Sequence, residues 1–284
     1  MRPGSIAILV RSHNDSLFVA RTLQMILAQK CSLPFTVFCC DDRSTDGTAE
    51  IIRARPEVRL IAPPEGKYMP GRTLNRMIQE SSGDIAVFNN ADAVPENESW
   101  LENLIRPLLD GEADAVYANQ LPRRDAGWLV RKDNERAFGD GRVAADWDFF
   151  FSLASSAALR TDLTAHPFDE TFLYSEDVEW AHRRKIRIVY AADSLVEHSH
   201  NYTFAEMGRR FYGEGFAAAR IFGGAPSLLR TLGGVFRETW RDVRYLFRHP
   251  AGLRELPGAL PRRWIQRFRF RRGALDYLRK ERHG

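Results

Sequence analysis

FTVFCCDDRSTDGT, residues 35–48, contains the unit of structure that repeats along the first part of this chain. Its first six residues are apolar or β-branched, which predicts a short buried strand. Two adjacent carboxylates, Asp41 and Asp42, follow that strand, and the turn after them leads into TAEIIRAR, whose apolar residues have helical spacing. The stretch therefore predicts a strand, an acidic loop and a helix, in that order.

The same alternation extends over the first 120 residues. Four further runs have the length and composition of strands, namely residues 6–10, 58–62, 85–90 and 114–120, and amphipathic stretches separate them. Strands that alternate with helices predict an α/β fold with a Rossmann-like, mostly parallel central sheet flanked by helices. Ligands bind such folds at the carboxyl ends of the strands, so the loops after the strands are the candidate functional segments.

The charge is distributed unevenly along a chain whose composition, with 44% apolar and 27% charged residues, is that of a globular protein. Residues 201–284 contain 18 Lys and Arg against 7 Asp and Glu, whereas the rest of the chain contains 23 against 30. We expect a catalytic domain over residues 1–208 and a basic helical extension over residues 209–284. The extension predicts an anionic partner, and a membrane surface suits it better than nucleic acid, because its aromatic residues are not interleaved with exposed basic groups.

Within this extension, residues 228–248 have the clearest amphipathic pattern. At about 100° per residue, eight apolar residues share one arc and five arginines form a separate stripe. These residues are Leu228, Leu232, Val235, Phe236, Trp240, Val243, Leu246 and Phe247 on the arc, and Arg230, Arg237, Arg241, Arg244 and Arg248 on the stripe. Two interpretations are open: a helix that lies on an anionic membrane, and a helix that packs on the catalytic domain with solvated arginines.

The apolar segments are too short for a signal peptide or a membrane span. The first ends at Arg11 after five residues, and no stretch stays apolar for 18 residues. Cys31, Cys39 and Cys40 are an odd set with two members in a predicted strand, which is typical of buried thiols in a reducing compartment. The sequence predicts a cytoplasmic protein, and the basic extension adds peripheral attachment to the inner face of the cell membrane as one interpretation.

Two polar segments have spacings found in metal sites. NADAVP, residues 90–95, follows a predicted strand and places Asn90 and Asp92 one residue apart, where an Asp-x-Asp pair can hold a divalent cation such as Mg²⁺ or Mn²⁺. Asn in place of the first Asp removes a charge, so weaker metal binding is expected, and a plain turn is the alternative. His198 and His200 would share one face of a strand, which suits either metal ligation or an ordinary strand edge.

FLYSEDVEW, residues 172–180, places Glu176 and Asp177 side by side between aromatic residues. A helix N-terminus that favours acids through its dipole would also explain them. Acidic loops, a degenerate metal pair, an acid doublet and a later His occur in the order typical of family 2 glycosyltransferases, and the chain resembles that family from Ile6 to about Tyr212. Within the family, NQLPRRD, FDETFLYSEDVEWAHRRK and HSHNYTFAEMGRRFYGEGFA are most similar to bacterial rhamnosyltransferases of surface polysaccharide synthesis.

The resemblance implies a GT-A fold and an inverting hexosyl transfer from a dTDP- or UDP-sugar, with dTDP-L-rhamnose as the candidate donor, to a glycan or lipid-linked acceptor. It implies that Asp177 is the catalytic base, and that Glu176 and Trp180 bind the acceptor. Asp92 and His198 would hold the divalent cation. The implied donor-binding residues are Ser12, Asn14, Asp41, Asp42, Arg72, Asn90 and Ala91.

Two other functions are open at this point. A metal-dependent hydrolase could use the His198 and His200 pair, although no third strong ligand is evident near them in the sequence. A non-catalytic nucleotide-sugar binding module would account for Asn90. GEGFAA, residues 213–218, mimics the dinucleotide-binding pattern G-x-G-x-x-A, but it follows a basic helical stretch rather than a strand, and we reject it as a cofactor site.

Overall fold

The computed structural model describes residues 3–141 and 149–283, which divide between two compact units. The first unit draws on residues 1–121, 136–171 and 176–198, and the second on residues 122–135, 172–175 and 199–284. The predicted boundary after residue 208 falls inside a continuous helix, Phe204–Phe222, so the compact units divide ten residues earlier. Two segments from the middle of the chain also join the second unit, which sequence order could not indicate.

The first unit contains an eight-stranded sheet in the order β3-β2-β1-β4-β7-β6-β8-β5. The strands are β1 (Ile6–Ser12), β2 (Phe35–Asp41), β3 (Val58–Leu60), β4 (Ile85–Asn90), β5 (Val94–Pro95), β6 (Ala115–Leu121), β7 (Ser155–Leu159) and β8 (Ile188–Glu197). The first seven helices are α1 (Val19–Leu27), α2 (Thr48–Arg53), α3 (Pro70–Glu80), α4 (Trp100–Leu109), α5 (Trp128–Ala137), α6 (Arg160–Ala165) and α7 (Glu176–Arg184). All of these helices belong to the first unit except α5, most of which belongs to the second.

The parallel part of the sheet is centred on β1. This strand pairs in parallel with β2 and with β4, β2 pairs in parallel with β3, and β6 and β8 form another parallel pair. β7 runs antiparallel between β4 and β6, and β5 runs antiparallel to β8. The predicted α/β sheet with flanking helices is confirmed. The strand pattern did not reveal β7, because its sequence SSAAL consists mostly of small residues with weak strand preference.

Both faces of the sheet are buried, which explains why its central strands are apolar without alternation. Along β1, Ile6, Ile8 and Val10 belong to one core, and Ala7 and Leu9 belong to the other. Helices α1 and α4 cover the first face, and α3, α6 and α7 cover the second. Full burial of one aliphatic side chain stabilises a fold by roughly 1.5–3 kcal/mol. The ends of these strands are therefore held firmly, and so are the loops that follow them.

The second unit is mainly helical, with α8 (Phe204–Phe222), α9 (Leu228–Arg248), a 3₁₀ helix (Pro250–Glu255) and α10 (Leu256–His283). Helices α8 and α10 cross at Gly215 and Gly273. A Cβ atom on Gly215 would lie 2.0 Å from the Phe270 carbonyl oxygen, and one on Gly273 would lie 2.0 Å from the Tyr212 carbonyl oxygen. The segment GEGFAA therefore supplies a close helix crossing rather than a cofactor site.

A network of charged side chains lies buried in the second unit. Arg263 of α10 donates to both carboxylate oxygens of Asp242 in α9, at 2.6 and 2.7 Å, and Lys132 of α5 donates to the same carboxylate. Arg263 also donates to Asp133 at 2.6 Å, and Lys132 Nζ lies 3.9 Å from Glu238. We call these side chains, together with Arg262, the charge network.

The charge network divides the predicted apolar arc of α9. Val235 and Leu246 are fully buried, but Phe236, Trp240 and Phe247 are 64%, 62% and 63% exposed. Glu238 and Asp242 lie on the buried face of α9, because Lys132 of α5 and Arg263 of α10 pair with them there. As a result, half of the residues of the predicted apolar arc face solvent. Within the described residues, none of the helices combines the length and the apolar composition needed to cross a bilayer.

Candidate active site at the ends of strands β1, β2 and β4

The loops after β1 and β2 meet because the two strands are neighbours. In the sheet register Ser12 pairs with Asp41, and the Ser12 hydroxyl donates to Asp41 Oδ1 at 3.0 Å. The Asp42 N–H donates to the Ser12 carbonyl oxygen at 2.9 Å. The predicted donor-binding residues of these two loops therefore lie together, as expected for carboxyl ends of adjacent parallel strands.

Asn14, in the loop after β1, makes further hydrogen bonds to the loop after β2. Its backbone is left-handed, with φ of 58°, a conformation that Asn adopts more readily than most residues. Its Oδ1 accepts a hydrogen bond from the Thr45 N–H at 2.9 Å, and its own N–H donates to Ser44 Oγ at 2.8 Å. Ser44 Oγ in turn donates to Asp41 Oδ1 at 2.6 Å. The carboxylate of Asp41 is thus oriented by both loops.

Asp92 and His198 lie together, as predicted for the metal pair. His198 Nε2 is 3.6 Å from Asp92 Oδ1, and His198 Nδ1 is 2.8 Å from Gln120 Oε1. The Gln120 amide nitrogen donates to Ser152 Oγ at 2.8 Å, so its oxygen is the acceptor and His198 carries its proton on Nδ1. The Nε2 lone pair then faces the Asp92 carboxylate, a donor set that fits a divalent cation. His200 belongs to the second unit.

Arg11 holds Asn90, although no motif singled it out. Arg11 Nε and Nη2 lie 3.2 and 3.1 Å from Asn90 Oδ1, so one guanidinium donates twice to the same oxygen. Its Nη1 lies 3.3 Å from Glu176 Oε1. Arg11 therefore connects the segment that contains Asp92 with the acid doublet. The signal that could have revealed it is an arginine within a strand that is otherwise buried on both faces.

Asp177 lies in the first turn of α7, where it is half-buried beside the buried Glu176. Burial and then the charge of Glu176 raise the pKa of Asp177 to about 7. Backbone hydrogen bonds from Val178 and Leu153 and the charge of Arg11 act in the opposite direction. A carboxyl group with a near-neutral pKa is suited to accept a proton at cellular pH, and such groups are common in active sites.

Trp180 and Ala91 do not have the surfaces that were predicted for them. Trp180 is fully buried against Phe151 and Phe168, where it anchors α7 in the core. A side chain with no exposed surface cannot stack on an acceptor sugar, so that prediction is wrong. Ala91 is also fully buried, and its N–H donates to the Arg11 carbonyl oxygen at 2.8 Å. The predicted donor contact of Ala91 is therefore wrong as well.

Arg72 lies at the start of α3 next to a close backbone approach. A Cβ atom on Gly71 would lie 2.5 Å from the Asp169 carbonyl oxygen, so the glycine lets α3 begin directly against that segment. Arg72 Nε is 3.6 Å from Glu170 Oε2, and both side chains are partly exposed. The contact of Arg72 with a phosphate stays a prediction.

Two titratable residues near these groups were not predicted. Burial, with a smaller effect from the nearby charge of Asp92, raises the pKa of Asp15 to about 6. Burial also raises the pKa of Tyr68, which lies within electrostatic range of Arg11 and Glu176. The position of Asp15 in the loop after β1 could have indicated it, whereas Tyr68 comes from a loop without a recognisable motif.

Comparison with known proteins supports the family resemblance. Residues 7–168 match the model of glycosyl transferase family 2. The chain is 27% identical over 226 residues to the O-antigen chain rhamnosyltransferase WbaN of Salmonella anatum, an alignment that covers 74% of this chain and 70% of the relative. It is 24% identical over 253 residues to the O-antigen chain rhamnosyltransferase RfbN of Salmonella typhimurium, covering 84% and 79%.

A solved structure supports the fold. The mannosyltransferase PcManGT from Pyrobaculum calidifontis, in complex with GDP-Man and Mn²⁺, matches this chain with a TM-score of 0.63 and 21% identity, covering 99% of this chain and 88% of its own. The predicted GT-A-type architecture is confirmed by this likeness. The hydrolase interpretation of His198 and His200 gains no support from these comparisons. Since the matched region covers more than half of the chain and includes the loops after β1, β2 and β4, the chain belongs to glycosyl transferase family 2.

Proposed function

We propose that this chain is an inverting glycosyltransferase that moves a sugar from a nucleotide-sugar donor to a glycan or lipid-linked acceptor, at the cytoplasmic face of the membrane, in cell-surface polysaccharide synthesis. The proposed donor is dTDP-L-rhamnose, which the rhamnosyltransferase names of both sequence relatives support. The observation that carries the proposal is Asp177, a carboxyl group with a near-neutral pKa that Arg11 and Asn90 connect to the segment of Asp92.

In the proposed reaction the acceptor hydroxyl oxygen attacks C1 of the donor sugar while the bond from C1 to the phosphate oxygen breaks. The new bond forms on the opposite face of C1, so the configuration inverts, and the nucleoside diphosphate leaves with the bonding electrons. A sugar hydroxyl is too weakly acidic to ionise beforehand, so its proton passes to the Asp177 carboxylate in the transition state. A positioned general base of this kind contributes about 10²- to 10⁴-fold in rate.

Arg11 balances the charge around the proposed base. Two adjacent buried acids disfavour each other's ionisation, and an opposite charge within a few ångströms counteracts this. The Arg11 guanidinium pairs with Glu176 and lowers the pKa of Asp177 against the effect of burial. Asn at position 90 fits this arrangement, because a carboxylate there would compete with Glu176 for the same guanidinium. Glu176 remains the proposed acceptor contact.

We propose that Asp92 and His198 hold a divalent cation, Mg²⁺ or Mn²⁺. Such an ion, when bound, neutralises the charge that develops on the departing diphosphate. The carboxylate oxygen and the imidazole lone pair face each other at 3.6 Å, and Gln120 fixes the tautomer that ligation requires. The Mn²⁺ in the PcManGT complex supports the choice of ion. The carboxylates of Asp41 and Asp42 are proposed to accept hydrogen bonds from the nucleoside, with Ser12 and Asn14 beside them.

A transfer assay tests the proposal. The purified chain is incubated with Mn²⁺, with dTDP-L-rhamnose, UDP- or GDP-sugars, and with acceptor glycans, and the anomeric configuration of the product is read from its one-bond C1–H1 coupling by NMR. We expect transfer from dTDP-L-rhamnose with the opposite configuration to that of the donor. Retained configuration would contradict the single displacement, and the absence of transfer from every donor would favour a non-catalytic binding module. Calorimetric titration with dTDP, UDP and GDP ranks the bases without any acceptor.

A further inference from the structure

One side of α9 is uncovered, although the rest of the helix is packed. Leu229, Phe236, Trp240 and Phe247 are 82%, 64%, 62% and 63% exposed. They are separated by seven, four and seven residues, so at about 100° per residue they lie along a single line on the helix surface. We call these four residues the α9 stripe. Contiguous exposed apolar side chains of this size mark an interaction surface.

The arginines of α9 lie along one edge of the α9 stripe. Four of them directly follow the four stripe residues, and all five are exposed: Arg230, Arg237, Arg241, Arg244 and Arg248. The expectation that the aromatic residues are not interleaved with exposed basic groups is therefore wrong for α9, because Phe236, Trp240 and Phe247 are exposed beside these arginines. The two acids of the helix, Glu238 and Asp242, are only 4% and 0% exposed, because they belong to the charge network on the opposite side. Arg241 donates to Glu238 at 2.8 Å and Arg237 Nε lies 3.8 Å from the same carboxylate. Within α9, all of which is described, the solvent-facing side therefore presents five exposed arginines, two of them paired with a buried acid, and no exposed acid.

We propose that the α9 stripe docks on an anionic membrane surface. The four apolar side chains would enter the boundary between headgroups and acyl chains, and the arginines along their edge would meet lipid phosphates. An exposed Trp suits this boundary, where its ring is part apolar and part polar. Each basic residue near an anionic leaflet strengthens binding by about fivefold.

The charges favour a lipid surface over a second copy of the chain. Two stripes that face each other would bring ten arginines together, and α9 offers no exposed acid to meet them. An anionic leaflet supplies negative charge and apolar depth at the same time. Docking itself does not require sugar transfer. Its role rests on the proposed function, in which the enzyme must reach a lipid-linked acceptor at the membrane surface.

The test uses the full chain and flotation with vesicles of phosphatidylcholine, with and without phosphatidylglycerol. We expect the wild type to float with the anionic vesicles alone. Phe236→Ser combined with Trp240→Ser removes the centre of the stripe and should abolish flotation, whereas Trp240→Phe should preserve it. Arg244→Gln combined with Arg248→Gln should weaken partitioning by about fivefold for each arginine. The matched control is Arg59→Gln combined with Leu60→Ser, two exposed residues of β3, which should bind like the wild type.

Melting temperatures are measured first, to check that each variant is folded. The outcomes below would then overturn or support the docking proposal. Anionic vesicle binding by the Phe236→Ser, Trp240→Ser variant that equals the wild type would overturn it. So would sedimentation that shows a wild-type dimer and a monomeric variant, because the stripe would then bind a second copy. Intact flotation without any sugar transfer to a soluble acceptor would contradict the proposed function and leave the docking supported.

Discussion

The active site and the charge network both contain buried charged groups, but only the charge network is balanced. Three acids, Asp133, Glu238 and Asp242, meet Lys132, Arg262 and Arg263 there, and the partly exposed Arg241 and Arg267 also reach Glu238, so no acid of the network is in surplus. In the candidate active site, Arg11 pairs with Glu176 and lowers the pKa of Asp177, so one cation faces two acids there. Although burial opposes it, Arg263 keeps the pKa of Asp133 below its usual value, whereas the pKa of Asp177 is raised. The acids of the charge network are matched by cations and hold structure, whereas the surplus carboxyl group of Asp177 is the one that we propose as the proton acceptor.

The largest effect on activity is expected from removal of the Asp177 carboxyl group. Asp177→Asn should lower kcat by about 10²- to 10⁴-fold, because the transition state loses its base. The variant should also be more stable at pH 8. A raised carboxyl pKa in the folded state means that stability is lost as the pH rises from about 4 through about 7, and Asn has no such loss.

Steady-state kinetics and thermal unfolding at pH 8 measure both effects of Asp177→Asn. We expect the melting temperature to rise by about 2–4 °C for each kcal/mol gained. A variant with normal kcat would show that Asp177 is not the base. A variant that is inactive and less stable than the wild type would place Asp177 with the balanced, structural acids.

Breaking the charge network should lower the stability of the chain and leave kcat nearly unchanged, the reverse of the effect expected for Asp177→Asn. Asp242→Ala leaves Lys132 and Arg263 buried without their shared carboxylate, and removal of one partner from a buried ion pair costs about 3–5 kcal/mol. Thermal unfolding should show this loss, while kcat per folded molecule stays near that of the wild type. The control is Glu50→Ala, which breaks the exposed pair with Arg53 and should cost less than about 1 kcal/mol. Equal stability of the two variants would contradict a structural role of the network.

Removal of the positive charge of Arg11 tests whether this charge sets the pKa of Asp177. The wild-type kcat/KM should fall as the pH drops through about 7, because only ionised Asp177 accepts a proton. Arg11→Gln should move this decline to higher pH by on the order of one unit and lower kcat/KM at pH 7 about fivefold. Arg11→Lys keeps the charge but loses the double contact with Asn90, so it should lower kcat/KM without moving the decline. An unchanged profile in Arg11→Gln would separate Arg11 from the base.

The smallest expected change follows from an added acid. Asn90→Asp places a carboxylate two residues from Asp92 and beside Arg11, and the extra charge should tighten Mn²⁺ binding by less than about tenfold. Calorimetric titration with Mn²⁺ measures this, with Asp92→Asn as the control that should weaken binding. If Asn90→Asp leaves the affinity unchanged, the side chain at position 90 serves Arg11 and takes no part in metal binding.

The sequence was informative where local pattern determines structure. The strands β1, β2, β4 and β6 were predicted because each is an apolar run buried on two faces. β7 was not, since its residues become a strand only by pairing with β4 and β6, which are distant in sequence. The inward acids of α9 could not be predicted either, because their partners Lys132 and Arg263 come from other parts of the chain.

The candidate site shows the same limit at the level of single residues. The order of the motifs along the chain predicted Asp41, Asp92 and His198 as site residues. Such residues meet because the strands that precede them end at the same edge of the sheet. Trp180 was misassigned because a short helix with acidic and aromatic residues does not reveal which face meets the core. Arg11 was missed because its importance arises from contacts with residues far along the chain.

The glycine crossing of α8 and α10 has a mechanical consequence. If either helix slid by one residue along the other, a side chain would replace Gly215 or Gly273 at a point where a Cβ atom lies 2.0 Å from a carbonyl oxygen. The pair can therefore move only as a rigid body. The turn between α8 and α9 contains Gly223 and Gly224, whose φ angles of 73° and 74° only glycine adopts freely. Beyond this turn the charge network holds α9 to α5 and α10, so α9 shares the rigidity of the crossing helices.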